Sequence, residues 1–188
     1  MLQAKAPLVT RHDYQEMPEG PPYFQVVEGE LVMSPSPNMF HQDIAGRIYA
    51  MILQFLEKKP LGEVFISPLD VFLSDVNVFQ PDVIFVSNAR RSILSKHGIE
   101  GAPDLVVEIL SPGTARYDKG SKRKIYARTG VKELWIVDPE VKSVQVYLLT
   151  RNAETPAATH GAGVVFKSAL LPGLKIQTTA IFKSSLPK

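Results

Sequence analysis

Asp82 in QPDVIFV, Glu108 in PDLVVEIL and Lys122 in KGSKRKIYAR are two carboxylates and an ammonium that the end of one sheet can gather. Glu108 stands among Val106, Val107, Ile109 and Leu110, a run suited to a buried strand, where an unpaired charge is costly. It therefore needs a cation. At about 100° per residue, Lys122 falls on the same side of its helix as Asp118, Ile125, Tyr126 and Thr129, the least charged face of a very basic segment. Pro81 marks a strand start and sets Asp82 at the strand's mouth. This set fits metal-assisted phosphodiester hydrolysis. The carboxylate oxygens hold Mg²⁺, with Mn²⁺ as an alternative, while the lysine positions water and stabilises charge on the phosphate.

Each assignment has a rival. Pro-Asp dipeptides also start strands by turn chemistry alone, and Asp104 in Ala102-Pro103-Asp104 offers a second one on the strand face of Glu108. Asp82 is preferred because neighbouring strand ends bring two ligands together more readily than positions about 13 Å apart along one strand. Paired carboxylates also suit glycoside hydrolysis, but a lysine between them and a phosphate-attracting helix fit that reaction poorly. A scaffold that binds nucleic acid without cutting it is the remaining alternative.

The elements that must position these groups are legible in turn. Residues 1–22 are proline-rich and polar and read as an arm with little regular structure, leaving 23–188 as one domain. Glu28-Gly29 lies between two β-prone runs and predicts a hairpin from Tyr23 to Met33, with Glu30 just past its turn; Glu30 also reads as a plain exposed carboxylate. Asn38 can cap a helix from Met39 to Lys58, whose apolar stripe contains Ile44, Ile48, Met51, Ile52, Phe55 and Leu56. His41 lies in its first turn, where a capping or structural role outweighs a catalytic one. Glu63–Ser74 predicts strand with a break at Pro68, and Asp70 reads as a polar residue on a solvated face. Residues 87–100 read as a polar connection with one short helical turn.

The basic helix spans Ala115 to Arg128. Arg116, Lys119 and Arg123 are its candidates for phosphate contact, Asp118 is a cap or an i,i+4 partner of Lys122, and Tyr126 offers a hydroxyl near the site. Gly130 ends it. ELWIVD then reads as a central strand with Trp135 in the core, Val144–Leu149 as its neighbour, and VVFKSALLPGLKI as further strands or a last hairpin. The fold class is α/β, a mixed sheet with the Met39–Lys58 helix on one side and the basic helix on the other.

VEGELV, His41, QPDVIFV, GAPDLVVEILSPGT, RYDKGSKRKIYARTGV and ELWIVDP, in that order, resemble the Uma-type restriction endonucleases of the PD-(D/E)XK nuclease superfamily, over about residues 20 to 150. The resemblance implies a restriction-endonuclease-like fold and a Mg²⁺-dependent endonuclease acting on DNA. It also implies that the superfamily lysine, absent from Glu108-Ile109-Leu110, has moved to Lys122. It raises Glu30 to an additional acidic residue near the metal and His41 to an active-site neighbour, and by analogy alone points to a homodimer. Gln25 departs from the family pattern, where glutamate is expected.

Composition narrows the function classes. With 45% hydrophobic and 21% charged residues in 188, the chain suits one globular domain, and a net charge of +2 makes any nucleic-acid surface local. The lack of cysteine excludes disulfides and thiolate ligands. No signal-peptide core and no run of 18 apolar residues is present, so a cytoplasmic protein without membrane partners is expected.

Overall fold

The computed structural model describes residues 7–18, 20–34, 36–111 and 118–183. Two six-stranded mixed sheets are flanked by helices, where the sequence pattern predicts one sheet with extra hairpins.

The first sheet contains the hairpin β1 (Tyr23–Val27) and β2 (Glu30–Ser34), then β4 (Val71–Ser74), β5 (Asn77–Phe79), β7 (Leu94–Ser95) and β8 (Gly98–Glu100), in the order β2-β1-β5-β4-β8-β7. Its first turn holds Glu28 at φ 52° and Gly29 at φ 81°, the left-handed pair that a two-residue hairpin loop requires. The second sheet runs β12-β11-β10-β9-β6-β3. Its strands are β3 (Gly62–Ile66), β6 (Val83–Ser87), β9 (Leu105–Ile109), β10 (Glu133–Asp138), β11 (Ser143–Leu148) and β12 (Ala158–His160). A separate hairpin pairs β13 (Val165–Lys167) with β14 (Lys175–Gln177).

Every residue of β9 is buried, as befits a strand covered on both faces, and it runs parallel to β10. On one face, Val107, Ile109, Trp135 and Val137 pack against Ile44, Ile48 and Ile52 of α2 (Met39–Lys58). On the other, Val106, Leu134 and Ile136 meet Ile125 and Tyr126 of α3 (Arg123–Thr129), together with Val27 and Phe79 of the first sheet. Asn38 caps α2 by accepting the His41 amide at 2.8 Å. Residues Asp118–Lys122 form a π-helical turn that runs into α3, with the poor helix formers Gly120 and Ser121 inside it. Gly130, at φ 101°, closes α3 in the left-handed conformation.

Two expectations about loops are corrected. The N-terminal arm contains α1 (Arg11–Gln15), with Thr10 and Asp13 in a reciprocal capping box. It is docked: Arg11 pairs with Glu100 at 2.6 Å and lies over the Phe72 ring at 4.0 Å, contacts between positions so far apart that local pattern does not reveal them. Residues 87–100, read as a polar connection, place a 3-10 turn (Asn88–Ile93) before β7 and β8, which extend the first sheet. Leu94 and Ile99 face each other there and join a small core with Val71 and Val86.

Candidate active site

Strand register brings the two carboxylates together. Strands β6 and β9 are antiparallel with Val83 opposite Val107, so one further step of that register sets Asp82 across from Glu108, positions about 5 Å apart at the backbone. Both line a cavity of about 370 Å³, bordered also by His41, Gln25, Gln80 and Lys122.

Glu108 is 3% exposed and Lys122 4% exposed, so this is a buried ion pair. The ammonium donates to Oε1 of Glu108 at 3.1 Å, and the Tyr126 hydroxyl donates to the same oxygen at 2.5 Å. Lys122 and Tyr126 are one helical turn apart, which is why both reach one carboxylate. The ring of Phe79 completes the arrangement: it lies 5.5 Å from the Lys122 nitrogen and packs edge-on against Tyr126 at 5.4 Å. An aromatic face adds attraction for a desolvated ammonium.

Asp82 accepts the Ile109 amide through Oδ2 at 2.6 Å, tying the mouth of β6 to the end of β9. The His41 Nε2 atom lies 3.4 Å from that same oxygen and 3.0 Å from the Ile109 carbonyl. Facing two acceptors, Nε2 carries the proton. Burial works against charging this ring, but the Asp82 hydrogen bond and charge, the Ile109 carbonyl and the Glu108 charge outweigh it and raise the His41 pKa above its ordinary value. His41 thus touches the site directly instead of serving only the helix end.

Gln25 is buried, donating to Ser34 Oγ at 2.7 Å and accepting the Gln80 amide at 3.2 Å. Where a glutamate would bring a charge into this wall, the amide both donates and accepts and bridges two strands. The roles of Ile109 and Gln80 had no signal in residue type, since one acts through its backbone and the other through neighbours distant in sequence.

Other sequence candidates lie elsewhere. Glu30 is exposed beside the hairpin turn; the open end of that hairpin, with Tyr23 and Ser34, borders the cavity instead. Four residues of strand, about 13 Å, separate the two ends. Asp104 is at the start of β9, away from Glu108, and is 1% exposed. It accepts the Ser87 amide at 2.8 Å and pairs with Lys132 at 2.6 Å, fastening the starts of β9 and β10 to the end of β6. Arg123 is turned inward, 8% exposed, against Glu154 at 3.2 Å and the Tyr147 ring at 5.4 Å, so the expected solvent-facing phosphate contact is corrected. Lys124 and Arg128 are the exposed cations of α3. Arg116 lies outside the described residues, as do the side chains of Asp118 and Lys119.

Among the described residues no group of three His, Asp or Glu side chains is placed to hold a metal ion. The oxygen donors that converge are Asp82, Glu108 and the Ile109 carbonyl, a hard set suited to an ion that keeps waters and takes substrate oxygens as ligands. No described helix is long and apolar enough to cross a membrane.

The fold resembles that of a crystal structure from Anabaena variabilis, described as "a putative nuclease belonging to DUF820". The two superimpose with a TM-score of 0.76 at 20% identity, covering 93% of this chain and 97% of the other. A comparison with curated protein sequences gave no match. The sequence profile of Uma2, described as "Putative restriction endonuclease", matches residues 11–179, nearly the whole chain, and on that match the protein belongs to the Uma2 family.

Proposed function

We propose that this protein is a Mg²⁺-dependent nuclease of the PD-(D/E)XK type that hydrolyses phosphodiester bonds in DNA. The observation that carries the reading is the meeting of Asp82, Glu108 and Lys122 at one cavity, with the lysine bonded to a carboxylate inside the fold. Family membership and the likeness to a nuclease candidate support it.

Asp82, Glu108 and the Ile109 carbonyl would hold the ion. Once bound, Mg²⁺ would supply Lewis-acid polarisation of the phosphate and a more acidic water. Lys122 places a positive charge 3.1 Å from Glu108, and its ammonium orients the attacking water and stabilises the negative charge that builds on the phosphate oxygens. The Phe79 ring lies against that ammonium, and Tyr126 holds the Glu108 oxygen to which it is bonded. Asp82, fixed by the Ile109 amide and His41, cannot swing away from the cavity without losing both contacts. In the reaction the water oxygen forms a bond to phosphorus, the ester P–O bond breaks, and the departing oxygen takes up a proton. Exposed Lys124 and Arg128 provide local charge for the nucleic-acid backbone.

Calorimetric titration with Mg²⁺ or Mn²⁺ tests the site. The parent binds, Asp82→Asn and Glu108→Gln lose binding by tenfold or more, and Lys122→Ala retains metal but loses DNA cleavage. A parent that binds no divalent ion even with DNA present overturns the catalytic reading in favour of a scaffold that binds without cutting.

A further inference from the structure

A second cavity, of about 560 Å³, adjoins the first and shares Tyr23 and Gln80 with it. Its walls are different in kind. Tyr14, Tyr23 and Phe24 supply aromatic surface, Phe72 lines it with Arg11 over its ring, and among the described residues no lysine or arginine is itself part of the lining. A phosphate groove needs cations, whereas an aromatic, weakly charged pocket suits a flat heterocycle.

The carboxylate of this cavity, which Gln15, Gln80 and His97 also line, is Asp70, which the sequence pattern places on a solvated strand face. Its Oδ1 accepts from the Tyr14 hydroxyl at 2.9 Å and from Gln80 Nε2 at 2.8 Å. Among the described residues Oδ2 accepts no hydrogen bond, so the carboxylate is oriented by two donors on one oxygen and keeps the other for a ligand. Burial, with the charge of Asp70 next in effect, pushes the Tyr14 phenol far above its ordinary range and keeps it a donor at neutral pH. Gln80 is two residues before Asp82, so about 7 Å of extended chain links the wall of one cavity to the carboxylate of the other.

We propose that this second cavity receives the nucleobase beside the scissile phosphate, unstacked from its strand, and that Asp70 Oδ2 selects bases with an amine donor. The inference rests on the nuclease reading above and deepens it. A carboxylate only accepts, so it takes the exocyclic amine of cytosine, adenine or guanine, a group thymine lacks, and is repelled where thymine presents its O4 carbonyl. Tyr23, 41% exposed and shared by both cavities, offers a surface for stacking where the backbone passes from one to the other. Single strands and frayed ends are then preferred to intact duplex, in which pairing hides the base.

Binding of labelled single-stranded oligonucleotides by the Asp82→Asn protein, read by fluorescence anisotropy with one base varied at a time, tests this. At one fixed position cytosine or adenine binds about fivefold to tenfold tighter than thymine. Adding Asp70→Asn, which presents an amide donor, abolishes or inverts that preference. Tyr23→Ala weakens binding of the intact oligonucleotide about tenfold and leaves an abasic one at that position unchanged. The stacking variant decides the matter should Asp70→Asn not fold. Absence of a positional preference, a preference unchanged by Asp70→Asn, or tighter binding of duplex than of single strand overturns the proposal. Failure of the parent to cleave any substrate refutes the nuclease reading instead, and the base preference in binding still decides this one.

Discussion

Lys122→Met should destabilise the protein more than an ordinary surface-lysine substitution, and the size follows from its burial. Lys122 and Glu108 are both almost fully enclosed with 3.1 Å between nitrogen and oxygen, so removing the ammonium leaves a buried carboxylate. Breaking such a pair costs about 3–5 kcal/mol. Tyr126 still donates to Glu108, so the lower end, about 3 kcal/mol, is expected. For a chain of this size that is a fall of roughly 10 °C in Tm. Glu108→Gln leaves the ammonium enclosed and should cost a similar amount. The double variant removes both charges and lets the new amide accept from Tyr126. It should recover to within about 1 kcal/mol of the parent, a coupling of several kcal/mol, while remaining inactive. Urea unfolding at pH 7, followed through the single tryptophan, Trp135, measures all four proteins. Single effects that simply add, with coupling below about 0.5 kcal/mol, would refute Lys122 as the counter-ion of Glu108.

The carboxyl of Glu133 is raised chiefly by burial, despite donors from Trp135 and Ser168. Its stability contribution is therefore complete below its unfolded value near pH 4.5 and lost as pH rises through the higher folded value. The difference in Tm between parent and Glu133→Gln should change across that window, and a constant difference from pH 4 to 8 contradicts the assignment. For Asp104 burial opposes ionisation, but Lys132 and the Ser87 amide outweigh it and lower its value. Asp104→Asn should cost about 2–4 kcal/mol at pH 7, a penalty that shrinks as pH falls through the lowered value, with calorimetric Mg²⁺ affinity unchanged. Glu30→Ala should stay within about 0.5 kcal/mol of the parent and cut DNA at the same rate; a large loss of activity would return Glu30 to the site.

Much of the arrangement is written locally. The α2 stripe, the Glu28-Gly29 turn and the enclosed run around Glu108 follow from periodicity and turn chemistry, which need only near neighbours. A carboxylate in an apolar strand demands a donor set, and the spacing of Lys122 and Tyr126 by one helical turn supplies it. Arg123 shows the limit of this reasoning. A helical wheel ranks its position by neighbours on α3, whereas its burial is decided by Glu154 and Tyr147, which arrive from another part of the chain. Asp82 and Asp104 are both Pro-Asp, a pair the sequence separates only by an argument from reach, and strand register gives their places: antiparallel pairing of β6 with β9 sets Asp82 across from Glu108, with Asp104 at the start of β9. The docking of α1 and the second cavity belong to the same class. They depend on contacts such as Arg11 with Glu100 and Tyr14 with Asp70, which exist only after the sheets have assembled. The sequence alone determined the chemistry of Glu108 and its partners, because burying a charge imposes a local requirement. Which distant groups share that cavity was decided by the tertiary structure, because strand register and layer packing are properties of the whole chain.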